Sequence, residues 1–391
     1  MSLGERVHPA PSGDGRSDAR VHGLLVHAVS AGLQDRRADC LWIPDEVADR
    51  VVNEAARHRL TGFVMDAVHR GALDASLPTL AGLEDGHRQA TMRVLLLERV
   101  LLSIVDVLDE AGIATRVLKG PAIARTLYAD PSIRTFLDVD LLVSADDLDA
   151  AVSVLTGAGL RRMLPQLRSG FDRRFAKTVT FLHRSGCQVD LHRTLVIGPY
   201  GLLVDRRDLF IEAQTFAVSW RRVLALGPTA QFLNLCYHAA LGDVPARLAP
   251  LRDVGQSLCD PTLEFEAALA MATRWHGRAV VARAVNLASS VLGLPPSGVV
   301  AWARSYRPGR RDRRRLACYT SRYRSNSRKY LATAAVIPGL ADKAAYLRAL
   351  LFPAPAFVAD RARDPARWWA HGLTGLLTRD RSPARQRSVG W

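Results

Sequence analysis

The spacing of hydrophobic and polar positions changes along this chain, and the changes divide it. Residues 1–20 are rich in Gly, Pro, Ser and charge, carry no periodic apolar pattern, and are expected to form a disordered lead-in. Over 21–111 the apolar positions recur at helical spacing. Val21–Leu33 predicts a short helix, and Pro44–Leu60 a second, with Val47, Val51 and Ala55 on one face behind an Asp45 cap. Leu60–Leu73 predicts a third. A long helix over Asp85–Ala111 turns Val94, Leu97, Leu101, Leu102, Val105 and Leu108 inward.

Gly112 ends that helix, and residues 112–200 shift to alternation. A short strand runs into Lys119-Gly120-Pro121, a helical segment follows, then a loop with Arg134, then a strand over Asp138–Val143. Ser144 and Asp147 fit a capping box opening a helix to Ala158. After a basic loop over Arg161–Arg174, a hairpin pairs Lys177–His183 with Gln188–Leu195 around Ser185-Gly186. From 201 to 377 the pattern is helical again, with helices over Ala230–Leu241, Leu251–Leu258, Leu263–Trp275, Arg278–Leu292 and Leu340–Phe352, and a last piece holding Trp368 and Trp369. Residues 378–391 are expected to be a disordered tail. The whole predicts an α+β fold: a small mixed β-sheet core over 112–200, embedded in N- and C-terminal helical regions.

The candidate chemistry sits where the alternation is interrupted by charge. Successive strand side chains alternate faces, so Asp138 and Asp140 point the same way with Cα atoms about 6.7 Å apart, while Val139, Leu141 and Val143 take the opposite face. Two carboxylates on one face of a core strand are costly unless a cation meets them. In the second hairpin strand Gln188, Asp190 and His192 share a face, which brings a third carboxylate. At Gly120-Pro121, Pro suits a first helical position and Gly permits close backbone approach, so the N–H groups from Ala122 onward could face an anion, with Lys119 at the same corner.

Composition narrows the setting. Of 391 residues, 48% are hydrophobic and 23% charged, which suits a globular protein with a substantial core. No apolar run is long enough to span a membrane, and the first twenty residues lack a signal-peptide core. Five scattered cysteines (Cys40, Cys187, Cys236, Cys259, Cys318) with no CxxC pair predict reduced thiols, a cytoplasmic setting and no zinc site. The net charge of +15 is uneven: Arg304–Lys329 holds eleven Arg or Lys against one acid, Asp312. That stretch suits a polyanion contact, and equally the solubilising charge of an arginine-rich chain.

Strand–Gly–helix, a D-x-D strand and a third Asp on a later strand resemble the polymerase β-like nucleotidyltransferases. VLKGPAIARTLYADPSIRTFLDVDLLV, CQVDLHRTL, LNLCYHAALGD, LRDVGQSL and the late LLFP resemble, in order and spacing, the family of uncharacterised nucleotidyltransferases, over roughly Ala90 to Arg379. Members of that family occur in bacterial biosynthetic clusters, including those for lasso peptides. The resemblance implies transfer of a nucleoside monophosphate from an NTP to an acceptor hydroxyl of a small molecule, a peptide or protein, or RNA, with pyrophosphate released. Phosphoryl transfer of this kind needs positioning and charge neutralisation, and oxygen-rich sites suit Mg²⁺. Asp138, Asp140 and Asp190 would be both catalytic residues and ligands of two Mg²⁺ ions, and Lys119, Gly120 and Arg134 would bind nucleotide phosphates. The superfamily usually has Gly-Ser where this chain has Gly120-Pro121, which leaves Lys119 as the substitute for the missing hydroxyl.

Each residue has a structural counterpart reading. Asp138, Asp140 and Asp190 could be solvated strand carboxylates, and Arg134 could as well pair with a nearby acid as with phosphate. His192 and His238 read as structural histidines or pocket walls, because Mg²⁺ prefers oxygen. Asp253 reads equally as a packing residue and as a pocket acid. The competing functional class is a non-catalytic nucleotide- or RNA-binding protein on a degenerate core, which retention of all three Asp residues disfavours.

Overall fold

The computed structural model describes residues 13–33, 39–320 and 326–361. Strands β1 (Leu41–Ile43) and β2 (Leu73–Ala75) form a small parallel pair in the N-terminal region. The others are β3 (Thr115–Val117), β4 (Asp138–Val143), β5 (Arg161–Arg162), β6 (Thr178–Leu182), β7 (Gln188–His192), β8 (Ala213–Val218) and β9 (Arg221–Leu226). They build one seven-stranded mixed sheet in the order β5-β6-β7-β4-β3-β9-β8. With helical regions on either side in sequence, this is the expected α+β architecture.

The sheet reaches past residue 200. The hairpin β8–β9 adds to its other edge, β9 running parallel to β3 with Val117 opposite Ala225. The helical reading from 201 onward therefore misses a piece of the core. Alternation is present there, with Phe216, Val218, Val223 and Ala225 inward, but the turn carries Ser219 at positive φ in place of the usual Gly or Asn.

Helices α1 (Gly13–Ser30), α2 (Asp45–His58), α3 (Thr61–His69) and α4 (Leu77–Glu110) make the N-terminal layer. Helix α1 begins inside the expected lead-in, where Asp18 pairs with Arg50 of α2, and its Val21, Leu24, Leu25 and Val29 are buried in the core. Residues 1–12, the tail 378–391 and Trp368–Trp369 lie outside the described residues. Helix α4 starts eight residues before the expected Asp85, with Ser76 as N-cap and Pro78 in its first turn. At 34 residues it spans about 51 Å, and it serves two cores. Leu83 packs with α2 and α3, while Leu97, Leu101, Val105 and Leu108 cover the sheet.

The remaining helices are α5 (Pro121–Leu127), α6 (Leu148–Gly157), α7 (Phe171–Phe175), α8 (Pro199–Leu203), α9 (Asp208–Ile211), α10 (Pro228–Leu241), α11 (Leu248–Leu258), α12 (Phe265–Arg274), α13 (Arg278–Leu292), α14 (Gly298–Ser305) and α15 (Arg310–Thr320), followed by further helices to Arg361. Val139, Leu141, Val143, Val189 and Leu191 pack against α4 and α6 on one sheet face. The opposite face meets the layer built from α1–α3, α10, α11 and α13, in whose core Leu118 and Leu142 are buried. No helix among the described residues is long and apolar enough to cross a membrane. In the basic stretch, Arg310, Arg311, Arg313 and Arg314 on α15 are exposed, and Tyr319 is buried with its hydroxyl on the Ile197 carbonyl at 2.6 Å.

Candidate active site

Strands β4 and β7 are parallel neighbours, with Asp140 opposite Asp190 and Asp138 opposite Gln188. Alternation then places Asp138, Asp140 and Asp190 on one face, as their spacing predicts. Asp140 is buried, while Asp138 and Asp190 are half-buried. Asp140 Oδ1 accepts from Lys119 Nζ at 3.2 Å and from His192 Nε2 at 2.6 Å. Asp190 Oδ1 accepts from the Thr180 hydroxyl at 2.6 Å and from Gln188 Nε2 at 3.3 Å.

The electrostatics are those of a crowded anionic site. The neighbouring Asp140 charge, with burial second, pushes the Asp138 pKa up to about 6 against the pull of Lys119 and Arg59. Burial would raise Asp140 as well, but Lys119 and the His192 hydrogen bond prevail and hold it well below the ordinary carboxylate range. Burial, reinforced by Lys177, lowers the His192 pKa, so the pair is an ionised carboxylate receiving an N–H from a neutral imidazole. Lys177, just before β6, feels all three carboxylates, yet burial and Lys119 bring its pKa down to about 8.

The phosphate corner differs from expectation. Gly120 does take a left-handed φ of 52°, and a Cβ there would lie 3.1 Å from the Phe136 ring, so the residue must be small and permissive. The N–H of Ala122, however, donates to the Lys119 carbonyl at 3.1 Å, so it does not point free toward a ligand. The 7-residue helix α5 is buried over its first turn. Arg134 is also engaged elsewhere. Its Nε and Nη2 grip Asp253 of α11 at 2.8 and 2.9 Å, and its Nη1 donates to the Thr135 carbonyl at 2.6 Å. Tyr128 OH adds a third bond to Asp253 at 2.8 Å. Of the two readings of Arg134, this geometry is the ion pair, and Asp253 is its packing partner.

The comparisons with known proteins bear on this arrangement. The family model described as "Uncharacterised nucleotidyltransferase" matches residues 44–293, from the start of α2 through α13, and includes every residue of the site. The chain belongs to this family. The match begins earlier than the expected Ala90 and ends before the basic stretch and the LLFP segment. A crystal structure of an antigenic nucleotidyltransferase-like protein from Paracoccidioides brasiliensis is similar at 17% identity and a TM-score of 0.29, covering 50% of this chain and 92% of that one. No curated protein matches the chain.

In this nucleotidyltransferase the metal-capable cluster found among the described residues is not the expected trio. Ligand atoms of Asp140, Asp190 and His192 lie within 4.8 Å of one another. Asp138 stands on the same face but outside that group. Asp140 and Asp190 offer carboxylate oxygens and His192 a ring nitrogen, a donor set that suits a divalent cation, and Asp138 adds a carboxylate on the same face. The sequence reading passed over His192 as a partner of Asp140, and over Lys177 and Arg59, whose charges act on the carboxylates. Strand alternation alone signalled His192. Nothing local signalled the other two.

Proposed function

We propose that the chain is a Mg²⁺-dependent nucleotidyltransferase that moves a nucleoside monophosphate from an NTP to an acceptor hydroxyl. The observation that carries this reading is the register that sets Asp140 beside Asp190 on parallel strands, with Asp138 on the same face. Asp138 and Asp140 would hold two Mg²⁺ ions and Asp190 the one nearer the acceptor, with His192 orienting Asp140 through its hydrogen bond. Bound Mg²⁺ would neutralise phosphate charge and favour ionisation of the acceptor hydroxyl. The acceptor oxygen forms a bond to the α-phosphorus, the α–β bridging bond breaks, and pyrophosphate leaves with the electron pair. Asp190, which accepts from Thr180 and Gln188, would receive the acceptor proton. Lys119, bonded to Asp140 and next to Gly120, would meet the triphosphate, and Gly120 would allow that approach, while Arg134 stays with Asp253.

The test is pyrophosphate release with each labelled NTP, offered total tRNA in one arm and a small-molecule or peptide extract in the other. Asp138→Asn and Asp140→Asn should abolish Mg²⁺-dependent turnover with the fold intact. Robust turnover in a folded double variant would sink the reading. The exposed arginines of α15 favour a second reading, a polyanion contact that holds RNA. Salt-sensitive RNA binding with no pyrophosphate release from any acceptor would favour that reading alone.

A further inference from the structure

The turn between α2 and α3 brings a cation, Arg59, within electrostatic reach of Asp138 and Asp140 from a part of the chain far from the strands. Arg59 occupies the position after the last helical residue of α2 with φ 62° and ψ 39°, a left-handed conformation. The Leu60 N–H closes the turn on the Ala55 carbonyl at 2.7 Å, the geometry in which glycine is the usual residue. An arginine here accepts backbone strain that glycine or asparagine would avoid, and such strain tends to persist where the side chain has a task.

The turn is also held rigidly. Gly62, in the first turn of α3, approaches the Pro131–Ile133 turn so closely that a Cβ would stand 2.4 Å from the Ile133 carbonyl oxygen. That turn leads, through Arg134 and Phe136, into Asp138. The helical layer and the metal edge are therefore docked backbone to backbone.

Arg59 is half-buried, and among the described residues its guanidinium has no hydrogen-bond or ion-pair partner. Burial lowers its pKa, the charge of Arg134 adds to that, and Asp138 and Asp140 oppose them. Arg134 repels it while being bound to Asp253, and Arg247, nearby, is paired with Asp243 at 2.8 Å. A guanidinium presents five donors in a planar fork suited to phosphate oxygens. Unpaired among the described residues and within electrostatic reach of Asp138 and Asp140, that of Arg59 is available to an anion drawn to that site.

Building on the nucleotidyltransferase reading, we propose that Arg59 binds the triphosphate tail of the nucleotide, in the role the loop arginine Arg134 was expected to fill. The N-terminal helical layer is then part of the active site, which is consistent with the family match beginning at residue 44.

The experiment uses a ligand with neither base nor acceptor: tripolyphosphate in excess Mg²⁺, titrated calorimetrically into the full chain. Arg59→Asn keeps a residue that tolerates the left-handed turn and removes the charge. It should melt no lower than wild type and bind tripolyphosphate at least tenfold more weakly. Arg59→Lys should fall between the two. If Arg59 only balances Asp138 and Asp140, Arg59→Asn would bind Mg²⁺ more tightly with tripolyphosphate affinity unchanged, and the proposal is overturned. If that happens while Asp140→Asn still abolishes pyrophosphate release, the enzyme reading stands without Arg59. A wild-type chain that binds no tripolyphosphate and releases no pyrophosphate would bring down both.

Discussion

The two faces of the central sheet come from the same strands, one residue out of step. On β4 and β7, Val139, Leu141, Val143, Val189 and Leu191 are all at 0% exposure and meet apolar partners from α4 and α6. The intervening positions, Asp138, Asp140, Gln188, Asp190 and His192, with Leu142 as the one apolar member, make the opposite face, continued by Thr178 and Thr180 on β6. The apolar face is complete with local helices, because non-directional burial accepts any well-shaped neighbour. The polar face is complete only with oriented partners, and these come from scattered places: Lys119 after β3, Lys177 before β6, and Arg59 from the N-terminal layer. One face holds the strands in register, and the other depends on that register, since a slip of one residue would exchange them.

The two faces separate most clearly under a substitution that alters charge without altering shape. Asp140→Asn should reduce nucleotidyl transfer by about a thousandfold or more, equivalent to about 4 kcal/mol of barrier, with the circular dichroism spectrum preserved. Arg134→Ala leaves Asp253 buried without its partner and should destabilise the fold by about 3–5 kcal/mol, read as a lower urea midpoint. On the apolar face, Leu141→Ala should cost about 2–5 kcal/mol in the same urea series, while the remaining folded protein keeps its metal and nucleotide affinity. An equal loss of metal affinity in Leu141→Ala and Asp140→Asn would mean the faces are not separable. The mildest change is Thr180→Val, which removes the hydroxyl from Asp190 and should lower turnover about tenfold with little effect on stability.

Most of the strand that carries the site was legible because its information is local. The D-x-D alternation and the hairpin bringing Asp190 follow from spacing of a few residues. The expected capping box does not form, since α6 starts after Asp147 without a side-chain cap and Ser144 Oγ donates to Asp147 Oδ2 at 2.8 Å. Misreadings arose where long-range contacts decide. Arg134 and Asp253 are 119 residues apart, and only the packing of α11 on the loop before β4 commits one to the other. The β8–β9 hairpin was hidden by Arg221 and Arg222 and by a turn without Gly, and its place beside β3 is set by pairing across about a hundred residues.

By itself, the sequence determined which side chains share a strand face, because alternation is a property of the backbone and needs no neighbour. It thereby specified Asp138 with Asp140, and Asp190 with His192. Only the tertiary structure decided that β4 and β7 lie parallel and adjacent, so that Asp140 meets Asp190 and His192. It also decided that the charge of Arg59 reaches Asp138 and Asp140 while Arg134 pairs with Asp253. Those outcomes depend on which distant segments pack together, and electrostatic partnership follows distance in space, not separation along the chain.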